Sequence, residues 1–330
     1  MNPIVVLAIG GNSLTRPGEK GTFAEQQRNA RVTCEGIADV LGMGYRVVLT
    51  HGNGPQVGNA LLRGELAQPN LPPVRLDECD AETQGEIGYL LQQTLDNVLA
   101  ERGMSVNVAS VVTQVVVDPS DAAFMNPTKP IGPFYAIEEA LERRRKLRWE
   151  MVEDAGRGWR RVVPSPKPLE IVEQEAIRAC LGAGAVVIAA GGGGIPVVRR
   201  GKRIEGVEAV IDKDRVSALL ARNLHAQVLA FSTGVDRVAL HFGRPNQMPL
   251  ERLTWAQAKS YLCAGEFPAG SMGPKIEAAL EFLEEAVTWD GGQCRAMVTS
   301  PENLGAALRG EAGTEILPPI AAPSEQPAVA

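Results

Sequence analysis

Cysteine, histidine and long apolar runs are all scarce in this chain, and each scarcity removes a class of function. The 330 residues carry five cysteines, Cys34, Cys79, Cys180, Cys263 and Cys294, an odd number with no C-x-x-C pair. That pattern suits neither a disulfide framework nor a structural zinc site, and it points to a reducing cytoplasm. The three histidines, His51, His225 and His241, are scattered, so a histidine-built metal site is not expected. No run approaches the roughly 18 apolar residues that span a bilayer. The first strand-like stretch starts after three residues, so neither a signal peptide nor a membrane partner is expected.

Excess positive charge is missing too. The net charge is −6, which argues against a broad nucleic-acid face, because phosphate backbones need a basic surface. Any anion site must then be local. The common nucleotide fingerprints are also absent. In the G-x-x-x-x-G-K-[ST] frame, Gly201 and Lys202 fit, but Pro196 stands where the first glycine belongs. In the G-x-G-x-x-G frame, Gly52 and Gly54 are followed by Val57. Neither a Walker loop nor a standard dinucleotide turn is supported.

What the chain does have is three apolar, β-branched stretches that run straight into glycine. They are VVLAIGGN from Val5 to Asn12, VVLTHGNG from Val47 to Gly54, and VVIAAGGGG from Val186 to Gly194. Glycine lets a backbone approach a ligand closely, and successive N–H groups in such turns form anion-binding nests. Three of them predict a crevice at the carboxyl ends of strands in one sheet, shaped for a ligand with several negative oxygens.

Between these turns, apolar runs alternate with helical periods, the pattern of an α/β fold with a mostly parallel sheet. Helix faces are predicted at Ile37, Val40 and Leu41, and at Ile87, Leu90, Leu91, Leu95, Val98 and Leu99. Strands are predicted over 106–117, 228–232 and 296–299. The segment 118–168 breaks the pattern with seven prolines. Regular sheet and helix are not expected to hold so many, so it reads as an inserted subdomain standing off the main sheet. Its basic run ERRRKLRWE reads as a solvated helix face. The chain thus divides into a lobe over 1–210 that carries the insertion, a second lobe over 211–317, and an aperiodic tail over 318–330 expected to be disordered.

Lysines are the candidate chemistry. Lys213 lies in VIDKDRVSALLA, where Asp212 or Asp214 is placed to cap the next helix. Lys275 follows Pro274, a first-turn proline, in AGSMGPKIEAAL. A cation near a helix N-terminus is disfavoured by a few tenths of a kcal/mol, and a bound anion reverses that sign. Lys129, held between prolines in NPTKPIGPFY, can present its ammonium with little ordering entropy. Phosphoryl transfer needs mainly positioning and positive charge around the moving oxygens, with Mg²⁺ bridging nucleotide phosphates and keeping water as its other ligands. Asp212, Asp214 and Asp236 are candidates to orient lysines or to stand near the metal. His51 reads as a packed or backbone-bonded histidine rather than a catalytic one.

At this point the residues resemble a known family. AIGGNSL, THGNGPQVGN, TQGEIGYLLQ, VVTQVVVD, NPTKPIGPFY, GWRRVVPSPKP, VIAAGGGGIPV, GVEAVIDKD, STGVDRVALHFGRPNQ and AGSMGPK, spread from Val5 to Thr314, are similar to carbamate kinases of the amino-acid kinase superfamily. The resemblance implies an open αβα sandwich with a central, mainly parallel sheet, a protruding subdomain and a homodimer. It implies reversible transfer between carbamoyl phosphate and ADP, giving ATP and carbamate with Mg²⁺, as in arginine fermentation. A kinase of the same fold acting on another small carboxylate or amino acid is the alternative, and a non-catalytic nucleotide sensor is a third reading.

Carried over, Gly10, Gly11 and Asn12 would hold the transferred phosphoryl group, and Gly52, Asn53 and Gly54 would bind the carbamate side through backbone N–H groups. Gly191, Gly192 and Gly193 would line the phosphate channel. Lys129, Lys213 and Lys275 would stabilise transition-state charge, with Asp214 orienting lysine. Thr233, Gly234, Val235 and Asp236, with Ala269, Gly270, Ser271 and Met272, would surround the nucleotide. The lysine that many superfamily kinases carry before the first glycine pair is absent from LAIGG, and Lys129 is taken to compensate. TQGEIGY departs from the family's commoner SQGMIGY at Thr83 and Glu86, changes expected to fall at a helix start, where they leave the lysine clamp intact.

Overall fold

In the computed structural model, described for residues 2–319 except 12, 13, 16, 17, 155, 157, 269, 291 and 292, strands and helices alternate along the chain. The first part runs β1 (Ile4–Ile9), α1 (Phe23–Gly42), β2 (Arg46–His51), α2 (Gly54–Ala67), α3 (Leu76–Glu101), β3 (Val108–Ser110) and β4 (Gln114–Val117). The middle runs β5 (Lys129–Tyr135), α4 (Ile137–Leu147), β6 (Met151–Glu153), β7 (Trp159–Val163), β8 (Pro168–Ile171), α5 (Gln174–Gly182), β9 (Val186–Ile188), β10 (Ile195–Arg200) and β11 (Arg203–Gly206). The last part runs α6 (Lys213–Leu224), β12 (Val228–Ser232), β13 (Ala239–Leu240), β14 (Met248–Pro249), β15 (Arg252–Thr254), α7 (Trp255–Cys263), α8 (Met272–Asp290), β16 (Arg295–Thr299), α9 (Leu304–Leu308) and β17 (Thr314–Leu317).

The main sheet has the order β15-β17-β16-β12-β1-β2-β9-β3, and only the β16–β17 pair is antiparallel. Side chains alternate between its faces, as strand geometry requires. Ile4, Val6 and Ala8 of β1 enter one core with α5, α6, α7 and α8, whereas Val5, Leu7 and Ile9 enter the other with α1, α3 and α9. Burial on both faces explains why the strands read as unbroken apolar runs. The stripes on α1 and α3 are buried as expected, with Leu41 only partly covered. The mainly parallel αβα sandwich is therefore observed. The expected tail lies, from residue 320 on, outside the described residues.

Three expectations need correction. The run 106–117 is not one strand. It breaks at Val111–Thr113, so β3 closes the main sheet while β4 joins a second sheet of order β11-β10-β4-β8. The proline-rich insertion is also more regular than expected. It forms a three-stranded antiparallel sheet, β5-β7-β6, flanked by α4. Pro130 and Pro133 are accommodated because β5 is an edge strand, where a missing N–H costs no ladder bond. Its own small core is Tyr135, Ala140, Trp149 and Met151. The basic run is not wholly solvated either: Arg143 turns inward, its guanidinium 4.4 Å from the Tyr135 ring centre and 5.1 Å from that of Trp149.

Candidate functional site

β1, β2 and β9 are parallel neighbours, so their three glycine turns open side by side at the carboxyl edge of the sheet. The turns are tied together by backbone. Gly10 N–H donates to Ser232 O at 3.0 Å and Gly52 N–H to Ile9 O at 3.1 Å. The third turn is a single 3₁₀ turn over Gly191–Gly193, with Gly192 at φ 68°. Side chains are excluded there by contact as well as by conformation. A Cβ on Gly191 would lie 2.2 Å from His51 Nε2, and one on Gly192 2.3 Å from Asn53 Nδ2. Bare backbone is what this surface offers.

The lysines converge on it. Lys213 begins α6 and Lys275 lies in the first turn of α8, yet both side chains are buried and meet on one carboxylate. Lys213 Nζ donates to Asp214 Oδ1 at 2.5 Å, and Lys275 Nζ donates to Asp214 Oδ2 at 3.1 Å. The Lys213 stem runs past the turns: a Cβ on Gly52 would lie 3.4 Å from Lys213 Cδ and 3.4 Å from Gly11 N. Lys129, at the start of the edge strand β5, reaches Asp212 Oδ2 at 2.5 Å. Asp212 meanwhile caps α6 through bonds to its Oδ1 from the N–H groups of Asp214, at 2.9 Å, and Arg215. Three ammonium groups thus share two carboxylates, which leaves one net positive charge.

Burial shapes these charges. It pulls the Lys213 ammonium below its ordinary range; Asp214 opposes that shift and the nearby Lys275 adds to it. For Asp212, burial favours the neutral acid, but the charge and hydrogen bond of Lys129 and the charge of Lys213 outweigh it, holding the carboxyl well below the usual range. An incoming polyanion adds a partner for each buried ammonium, the arrangement in which electrostatic stabilisation is strongest. Two helix N-termini, those of α6 and α2, point positive ends at the same edge.

Sequence reasoning missed what holds the turns. Thr83 is not at a helix start; it lies well inside α3, fully buried, while Glu86 faces solvent. Asp80, Thr83 and Gln84 share one face of α3 at i, i+3 and i+4. Asn53 Nδ2 donates to Asp80 Oδ1 and to Thr83 Oγ1, each at 3.0 Å. Gln84 Nε2 donates to Gly191 O at 3.1 Å and to Thr113 O at 3.0 Å, and its Oε1 accepts from Thr113 N–H at 2.8 Å. Thr113 Oγ1 then receives the Ala190 N–H at 2.9 Å. One helix therefore grips the second and third turns through side chains. A polar run at helical spacing within an otherwise apolar stripe was the available signal.

His51 is buried with its ring against the Gly191 turn; burial pushes it down to about 4, and its Nδ1 lies 3.2 Å from Gly52 O. It is a packed, neutral ring. Among the described residues, Asp236 meets no lysine. It accepts from Asn303 Nδ2 at 2.8 Å and lines, with Val235, Phe242, Pro249 and Gly313, a cavity of about 500 Å³ beyond β12. Thr233 N–H is bonded to Thr299 O at 2.9 Å, Gly234 is exposed, and Ser271 O accepts from Lys275 Nζ at 3.3 Å. Gly270 is exposed and Met272 is half-buried at the start of α8. Asn12 and Ala269 lie outside the described residues. Among the described residues no cluster of metal-ligating side chains is found, and no helix is long and apolar enough to cross a membrane. Cys34, Cys79, Cys180 and Cys263 are free thiols, and Cys294 Sγ donates to Ala226 O at 3.4 Å.

With this geometry in view, the chain can be compared with known proteins. The model of the amino acid kinase family matches residues 3–299. The carbamate kinase of Pyrococcus furiosus is 45% identical over 320 residues, 96% of this chain and 100% of the relative. The carbamate kinase-like protein YahI of Escherichia coli is 49% identical over 321 residues, 96% of this chain and 99% of the relative. Among solved structures, carbamate kinase from Giardia lamblia bound to AMP-PNP superposes with a TM-score of 0.87 at 40% identity, covering 96% of this chain and 99% of the other.

Proposed function

Since the chain belongs to the amino acid kinase family, with carbamate kinases similar to it over nearly their whole length, we propose that it is a carbamate kinase. It transfers a phosphoryl group between carbamoyl phosphate and ADP, giving carbamate and ATP, and runs in either direction. In the direction of ATP, a β-phosphate oxygen of ADP attacks phosphorus while the bond from phosphorus to the carbamoyl oxygen breaks. Carbamate leaves with that oxygen and both bonding electrons. No proton need move at the reacting centre, so the site's work is positioning and charge. The observation that carries this reading is the pair Lys213 and Lys275, sharing Asp214 beside the bare turns at Gly11 and Gly52.

The parts divide by side. The Gly10 and Gly52 N–H groups are committed to Ser232 O and Ile9 O, so the turns present the N–H groups of Gly11, Asn53 and Gly54 to the transferred phosphoryl and carbamoyl oxygens. Lys213 and Lys275 follow the negative charge as it spreads over the equatorial oxygens, and Gly191–Gly193 line the path between acceptor and nucleotide. Lys129 closes from the protruding subdomain, exchanging Asp212 for substrate oxygen. The nucleotide base and sugar take the cavity at Val235 and Asp236, with Thr233, Gly234 and Gly270–Met272 around the phosphates. Magnesium fits as an ion brought by the nucleotide, because Asp212 and Asp214 are both engaged by ammonium groups; it supplies charge neutralisation at the phosphate oxygens. On this reading residues 1–210 form the acceptor lobe and 211–317 the nucleotide lobe. The sequence resemblance supports a homodimer, which light scattering checks.

A coupled assay of ATP formed from carbamoyl phosphate and ADP, with and without Mg²⁺, tests the proposal; no ATP from purified protein rejects it. A second reading, a kinase for another small carboxylate or amino acid, draws on the 49% identity to a relative named only as carbamate kinase-like. A panel of acceptors with ATP separates the two.

A further inference from the structure

Asn53 stands on the second glycine turn with its side-chain amide between α3 and Gly192. A primary amide has two N–H groups, and here both are taken, one by Asp80 Oδ1 and one by Thr83 Oγ1. The Thr83 bond sets the direction of the amide. The Thr83 hydroxyl proton already goes to the backbone oxygen of Asp80 at 2.9 Å, so Oγ1 can only accept from Asn53. A flipped amide would set its oxygen against Thr83 Oγ1, whose proton is already given to Asp80 O. Asn53 Oδ1 is therefore turned away from α3. It accepts no hydrogen bond among the described residues, and it is not one of the oxygens sealed from solvent, whereas Asp80 Oδ2 is.

Asp80 suits this task. Burial pushes its carboxyl well above the ordinary range, more than the Asn53 amide pulls it back. A neutral acid can hold the amide without placing an unpaired negative charge beside a site for anions. Among the described residues, neither Asp80 nor Thr83 is hydrogen-bonded to a lysine.

Resting on the carbamate kinase reading, we propose that Asp80 and Thr83 are positioning residues that lock the Asn53 amide with its oxygen toward the acceptor, and that this oxygen selects the amino group of a carbamoyl substrate over the methyl group of an acyl phosphate. Carbamoyl phosphate and acetyl phosphate are close in size and differ by NH₂ for CH₃. An amino group gives Oδ1 a hydrogen bond, while a methyl group leaves the oxygen desolvated and unpaired, the situation in which enzymes discriminate most sharply.

The test is the ratio of kcat/KM for carbamoyl phosphate to that for acetyl phosphate, both with ADP. Thr83→Val removes one anchor at nearly constant volume. The ratio is expected to fall by about tenfold or more, through loss of the carbamoyl substrate, with the KM for ADP unchanged. Thr83→Ser should restore it. Asp80→Ala removes the other anchor and decides in the same terms where Thr83→Val fails to bind ADP. Equal losses on both phosphates, or an unchanged ratio, overturn the proposal. A wild-type protein that makes ATP from neither phosphate instead rejects the carbamate kinase reading itself.

Discussion

The carboxyl edge of the main sheet and the protruding subdomain each contribute lysine to one cluster, but by opposite means. At the sheet edge, the Lys213 and Lys275 side chains are 11% and 9% exposed and are held by a shared carboxylate, and the turns around them are gripped by α3. In the subdomain, Lys129 keeps 28% of its side-chain exposure and is carried on a three-stranded sheet with a core of four buried residues. That sheet seats on α2 at a contact so close that a Cβ on Gly58 would lie 1.9 Å from Gly132 Cα. The difference teaches that precision and reach have separate sources here. Burial fixes the inner lysines, and a backbone contact with no side chains in it sets the outer one.

Removing an inner lysine is the most severe way to probe this contrast. Lys213→Ala should cost about 3–4 kcal/mol in the transition state, on the order of a hundred- to a thousandfold in kcat. Steady-state kinetics with carbamoyl phosphate and ADP measure it, and normal turnover would end the distinction between the two regions. Next in size is the seat of the subdomain. Gly58→Ala forces α2 and β5 apart, and a misplacement near 1 Å can cost about a hundredfold. If the seat acts only through Lys129, Gly58→Ala with Lys129→Ala should be no slower than Lys129→Ala alone.

A milder probe is Trp149→Ala, which empties much of the small core and removes the ring face near Arg143 and Arg161. It should loosen the subdomain by about 3 kcal/mol. Hydrogen exchange should then rise within 129–163 while the main sheet stays protected; a uniform rise would show that the two regions unfold together.

The smallest effect concerns Asp80 and stability. Folded Asp80 keeps its proton to higher pH than the unfolded side chain, whose pKa is about 3.9. Between those two values folding takes up a proton, so wild-type stability falls as pH rises through that window. Asp80→Asn should remove this slope and lose no thermal stability at pH 7, each pKa unit of the shift being worth about 1.4 kcal/mol. An unchanged slope in melting experiments from pH 4 upward would show that Asp80 is ionised in the fold.

Much of this was legible from residues alone. The three glycine turns, the stripes on α1 and α3, and the helix starts at Lys213 and Lys275 are local patterns, and periodicity reports them directly. Asp80 and Gln84 were not legible, because a buried polar side chain on an apolar helix looks in sequence like any interruption of the stripe. The prolines of β5 misled for a related reason: whether a proline breaks a strand depends on which edge is paired, and pairing is not written in the strand itself. The split of 106–117 at Thr113 follows from bonds to Gln84 and Ala190, both distant in the chain.

Apolar period and glycine placement, by themselves, determined the alternation of strands and helices, the expectation of a mostly parallel sheet and the positions of the bare turns, since periods and turns are written in residues within a turn or two of one another. Only the folded chain decided that Lys275 and Asp214, 61 positions apart, meet, and that α3 holds the turns they face. An ion pair or a hydrogen bond acts over a few ångströms, and only packing of the helices onto the sheet brings such groups within that range.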